Sequence, residues 1–226
     1  MDSSDGDAEP LVASGLPNLS NSEKQMKYGP LLILTVAPLV AGMIAAYAVY
    51  TYGNKPEYDH RIRSAQRNAE FGWTCLAVVM IGRLIAFANC YPLALESCFL
   101  TKDDRQLWTN PFMLVEIGSN ATKNVIVMDL DGPVGMYNRA NRAIQDMVET
   151  CGVVLAALYL ASTVFALPAA VVALAFCVGW FLHVVLYATN HDSHGVGYVL
   201  ATFAAAMLEG MVALMALMAL IAQTEM

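Results

Sequence analysis

Five stretches of this sequence, at about 30–52, 71–99, 136–166, 169–189 and 196–222, are apolar over lengths that match the hydrocarbon thickness of a bilayer. Nothing else constrains the chain as strongly. In lipid every backbone N–H and C=O has to be satisfied within the protein, and for segments of this length that leaves the α-helix. The expectation is an all-α integral membrane protein with five spans. Composition agrees: 58% of the 226 residues are hydrophobic and 14% are charged, and the mean hydropathy is +0.52. An ordinary soluble domain is far less apolar. The net charge of −7 comes largely from termini and loops, and no basic patch points to a nucleic-acid partner. Lysines and arginines flank both ends of the spans, so the charge rule leaves the orientation open.

Residues 1–27 are rich in Asp, Ser, Gly, Pro and Asn and read as a disordered acidic tail, without the basic flank and short apolar core of a signal peptide. The first span, within 28–53, has Pro30 in its first turn and Pro38 as a source of a kink. It ends in the interfacial cluster Tyr47, Tyr50 and Tyr52. A polar, helix-compatible segment from Arg61 to Glu70 leads into the second span. Residues 101–135 form a polar connection punctuated by Asn110-Pro111 and Asp131-Gly132-Pro133, long enough to cap one mouth of a bundle. Leu167-Pro168 is a minimal turn between the third and fourth spans, and 190–195 is the turn before the fifth. Most of the five cysteines lie in apolar runs, as small buried thiols do, and none has metal-ligand spacing.

Ionisable groups inside such spans persist only when paired or facing a protein interior or wet cavity, which makes them the functional signal. Arg139, Arg142, Asp146 and Glu149 recur at helical spacing on one face, where the third span enters the bilayer. Arg83, near the middle of the second span, either pairs with Glu96 or Glu149 or serves a ligand. His183 and Tyr187 are i, i+4 neighbours with Trp180 one turn deeper. Tyr198, Thr202, Ala205 and Glu209 share a face of the last span. The topology brings Arg142, Glu149, His183, Tyr187, His194 and Tyr198 to one mouth of the bundle. Cations and hydroxyls at a half-wet membrane site suit an anionic cosubstrate that meets a lipophilic partner from the bilayer. The plainer reading is that these groups lock helices together or anchor them at the interface.

The run Arg139-Ala140-Asn141-Arg142-Ala143-Ile144-Gln145-Asp146-Met147-Val148-Glu149 resembles the second-helix signature of the MAPEG family, the membrane-associated proteins in eicosanoid and glutathione metabolism. Arg142, Ala143 and Glu149 match its Arg-Ala-x-x-Asn-x-x-Glu pattern. The run from Val178 to Tyr187 is similar to the third-helix Gly-Arg-x-x-His-x-x-x-Tyr pattern, and Gly195 to Leu200, with Tyr198, to the start of the fourth helix. The resemblance covers about 71–222, with the first span as an addition to the family's core. It implies a four-helix antiparallel bundle assembling as a homotrimer in the endoplasmic reticulum or another intracellular membrane. Glutathione would lie between subunits, held by Arg83, Arg139, Arg142, Asp146, Glu149, His183 and Tyr187, with His194 and Tyr198 as donors to its thiolate. Asp146 stands where the family has asparagine, Trp180 where it has arginine, and His194 where the prostaglandin synthase branch carries its thiolate-stabilising arginine. The implied activity is a glutathione-dependent transferase or peroxidase acting on a lipophilic electrophile. The alternative is a silent relative that binds lipid or serves as a structural subunit of a membrane complex. An unrelated transporter would instead show a continuous polar path through Arg83 and Glu209.

Overall fold

The computed structural model describes residues 19–20, 24–66, 71–100, 112–117, 125–129, 131–189 and 195–224. Its elements are α1 (Tyr28–Tyr52), α2 (Lys55–Gln66), α3 (Phe71–Glu96), β1 (Leu114–Ile117), β2 (Val125–Met128), α4 (Gly132–Thr189) and α5 (Gly195–Thr224). By length and composition four of them, α1, α3, α4 and α5, can cross a membrane. The chain is a helical membrane protein.

Helix α4 carries the architecture. At about 1.5 Å per residue its 58 residues would reach roughly 87 Å, nearly three bilayer cores. It is broken at Phe165, whose φ of −120° and ψ of 48° are not helical. Pro168 is the cause: it has no N–H for the Val164 carbonyl, and its ring crowds the preceding turn. The break therefore falls at Phe165, upstream of the expected Leu167-Pro168 turn. The limbs 132–164 and 166–189 run antiparallel, because Arg139 near the start of one reaches the carbonyls of Tyr187 and Ala188 near the end of the other. Four helices thus present five rods of membrane-spanning length.

Alanines make this hairpin close. Ala140, Ala143, Ala157 and Ala161 on the first limb and Ala169, Ala170 and Ala173 on the second are all buried, with Met147, Val154, Leu158 and Phe176 filling between them. In lipid, helices associate through such close van der Waals contact rather than through expulsion of water. Helix α3 adds Ala77, Ile81, Leu84 and Ala88 to this core, and α5 adds Ala201, Ala204 and Leu208. Helix α1 stands at the edge, with only Leu31 buried. Its outward side chains, among them Ile33, Met43 and Ile44, are exposed as lipid-facing residues are.

The 101–135 connection contains the one non-helical element among the described residues, an antiparallel hairpin in which Leu114 faces Met128 and Ile117 faces Val125. Asn138 holds its base. The Asn138 Nδ2 donates to the Met113 and Asp129 carbonyls at 2.7 Å each, and its Oδ1 accepts from the Met113 N–H at 2.8 Å. Gly132 opens α4 at φ 56°, a value that glycine adopts without strain. Asn138→Ala removes all three bonds and is expected to cost the hairpin about 1–3 kcal/mol. Hydrogen–deuterium exchange checks this: exchange across 112–129 rises while 140–180 stays protected, and unchanged protection at 112–117 sinks the idea.

The first 27 residues fall mostly outside the described ones. Their described part lies against the bundle, with Leu19 buried and Met26 packed on the core. On the opposite surface, the Tyr50 hydroxyl donates to the Asp59 carboxylate and joins α1 to α2. The Arg61 guanidinium donates to Glu57 and holds that carboxyl below its usual range. That pair is exposed and adds little to stability.

Candidate functional site

A groove of about 760 Å³ runs along the flank of the bundle, walled by both limbs of α4 and by α5. Its existence depends on two glycines. A Cβ on Gly197 would stand 2.5 Å from the His183 backbone nitrogen and 2.8 Å from the Gly179 carbonyl oxygen, and a Cβ on Gly179 would stand 2.5 Å from the Ala201 nitrogen. The 166–189 limb and α5 therefore touch backbone to backbone, and the side chains around the contact are pressed into one cluster.

That cluster is aromatic. The His183 and Tyr187 rings stack 5.4 Å apart at 6°. Trp180 meets His183 edge-on at 5.3 Å and Tyr198 edge-on at 6.1 Å, and Tyr198 lies 5.4 Å from His183. His183 and Trp180 are buried, whereas Tyr198 is 46% exposed and open to the groove. The Trp180 Nε1 is buried without a hydrogen-bond partner among the described residues.

The first limb supplies the charges. Arg142 and Asp146 form an ion pair of 3.2 Å on successive turns of the same helix. The pair is local to one helix, as i, i+4 spacing favours. Glu149 follows one turn deeper, and Glu209 faces the groove from α5, about 16 Å below Tyr198 at helical rise. One guanidinium stands against three carboxylates, a formal balance of −2 when all are ionised and His183 is neutral.

Six of the residues expected at the site, Arg142, Asp146, Glu149, His183, Tyr187 and Tyr198, line this groove. Two are engaged elsewhere, and a third lies outside the described residues. Arg139 is turned away and buried: its Nε donates to the Tyr187 carbonyl at 2.9 Å and its Nη2 to the Ala188 carbonyl at 2.8 Å. Those carbonyls belong to the last turn of α4, which has no helical N–H to offer them and favours a cation. Arg83 lies on α3 and donates to the Thr35 carbonyl of α1 at 2.7 Å, next to the turn that Pro38 disrupts. Glu96, one proposed partner, is about 20 Å farther along the same helix. His194 lies outside the described residues.

Glu209 is the residue that site reasoning from sequence left out. Its signal was present in the shared face of Tyr198, Thr202, Ala205 and Glu209, all four of which line the groove. Tyr187 and Tyr198 bring two phenolic hydroxyls to the lining. Among the described residues Arg142 is the groove's single cation, and it is already engaged.

The chain matches no protein-family model, no curated protein and no solved structure. Its own chemistry has to carry the functional reading.

Proposed function

We propose that this chain is a divergent MAPEG-like membrane protein that binds glutathione in the groove and joins it, through its thiolate sulfur, to a lipophilic electrophile arriving from the bilayer. One observation supports this reading above the others. Arg142, Glu149, His183, Tyr187 and Tyr198, which carry the family resemblance, come from three helical segments and line a single half-open groove. In this reading Arg142 meets a glutathione carboxylate and Glu149 its ammonium. The Tyr198 hydroxyl donates to the sulfur and favours the thiolate, which forms the new S–C bond as the leaving group departs or the conjugate adduct takes up a proton. No described α3 residue walls the groove, so its open side is free for a second copy of the chain to contribute further cations in a homotrimer of an intracellular membrane.

A second reading, a silent lipid-binding or structural subunit, is favoured by the groove's formal charge of −2 and by the engagement of Arg142 with Asp146. A glutathione titration by calorimetry in detergent, with conjugation to 1-chloro-2,4-dinitrobenzene, separates the two. The enzyme reading expects binding below millimolar concentration and a loss of about 100-fold in rate for Tyr198→Phe, the scale of removing one donor from a developing anion. Absence of both binding and rate above background leaves the second reading.

A further inference from the structure

A second cavity, of about 980 Å³, lies on the other side of the 166–189 limb and is independent of the groove and its proposed chemistry. On that limb Phe181, Val185 and Thr189 face it at i, i+4 spacing, while Trp180, His183 and Tyr187 turn toward the groove. Its other walls come from α1 (Leu31) and α3 (Phe87, Tyr91, Leu95), and Leu19 and Met26 of the N-terminal segment help to close it. Along α3 it descends from Leu95 to Phe87, 8 residues of helix or about 12 Å, most of the way to the middle of a typical hydrocarbon layer.

Its chemistry is lopsided. Most of its wall is apolar, and the polar groups are Tyr28, Tyr91, Cys98 and Thr189, of which only Tyr91 lies between the deep residues Phe87 and Leu95. Lys24 is the only charged residue among the described lining and takes part in no ion pair among the described residues. Lys27, three residues on, is also exposed. A half-open apolar recess of this size gives water few polar partners and leaves room for an apolar chain. Small-molecule sites have this size and this pattern of apolar wall with few polar groups.

We propose that this cavity binds one acyl chain ending in an anionic head group, with the chain between α1, α3 and the 166–189 limb and the head at Lys24. A free fatty acid and an anionic phospholipid share that chemistry.

The test uses the full chain purified in neutral maltoside detergent. Retained lipids are identified by native mass spectrometry, and binding of tritiated palmitate is measured after delipidation. The expected result is saturable retention near one chain per protein. Lys24→Glu weakens it about 25-fold, since each basic residue at a membrane surface contributes on the order of fivefold and the reversal acts twice. Val185→Trp, which fills the cavity, abolishes it, and hexadecanol binding is insensitive to Lys24→Glu. Lys24→Gln removes the charge while keeping a flexible polar side chain, so weaker retention with unchanged melting assigns the effect to charge. Competition by palmitate marks a fatty-acid site, whereas retained phosphatidylglycerol that palmitate does not displace marks a phospholipid site. Lack of retention of either, or retention unaffected by Lys24→Glu, overturns the proposal.

Discussion

Gly197→Val is expected to lower the melting temperature in detergent by on the order of 10 °C and to abolish any binding in the groove. The added Cβ would meet the His183 nitrogen at 2.5 Å, the Gly179 oxygen at 2.8 Å and the His183 Cα at 2.9 Å, all of them backbone atoms. No side chain can swing aside to relieve this, so α5 has to move away from the 166–189 limb. Overpacking of this kind costs about 1–3 kcal/mol or more, and about 3 kcal/mol corresponds to roughly 6–12 °C in a chain of this size. Gly179→Ala meets the same contact from the other helix, at 2.5 Å from the Ala201 nitrogen, and is expected to act in the same direction. Gly210 on α5 meets nothing within 4 Å, so Gly210→Ala is the matched control and leaves melting near wild type. Wild-type melting of Gly197→Val would mean that the two helices are not in backbone contact.

Arg139→Met is expected to destabilise the bundle by about 2–4 kcal/mol, the scale of leaving two carbonyls without their donor. Methionine keeps most of the volume, so the loss is electrostatic. The carbonyls of Tyr187 and Ala188, at 2.9 and 2.8 Å from the guanidinium, lose their donor where the helix cannot replace it. Arg139→Lys is expected to rescue only part, because one ammonium cannot reproduce a fork spanning two carbonyls. Arg142→Ala should behave differently. Its ion pair with Asp146 is half exposed, at 49% and 30%, and is worth less than about 1 kcal/mol to stability. Thermal melts of the three variants side by side decide the point. If Arg142→Ala proves the more damaging, the division into a structural arginine and an available one is wrong.

The membrane class, the span positions and the hairpin of the third and fourth spans were legible in the chain, because an apolar run of bilayer length can satisfy its backbone in few ways. Helical periodicity went further. It put Arg142, Asp146 and Glu149 on one face and Tyr198, Thr202, Ala205 and Glu209 on another, and both faces line the groove. The same periodicity grouped Arg139 with Arg142, yet a rotation of about 60° separates a buried clamp from a groove-lining charge. Which of two neighbouring arginines turns inward depends on where the last carbonyls of another limb arrive, and no local pattern encodes that. Arg83 tells the same story: its partner is a backbone carbonyl of α1, near Pro38 and far upstream in the chain. The sequence by itself determined that the chain is helical and membrane-spanning, where it bends and which polar side chains share a helix face, since these follow from backbone satisfaction and helical period. Only the tertiary structure decided that Gly179 and Gly197 touch, that the groove exists between them and the first limb, and that a second cavity opens under Lys24. Those features arise from distances between helices, which packing sets and sequence spacing does not.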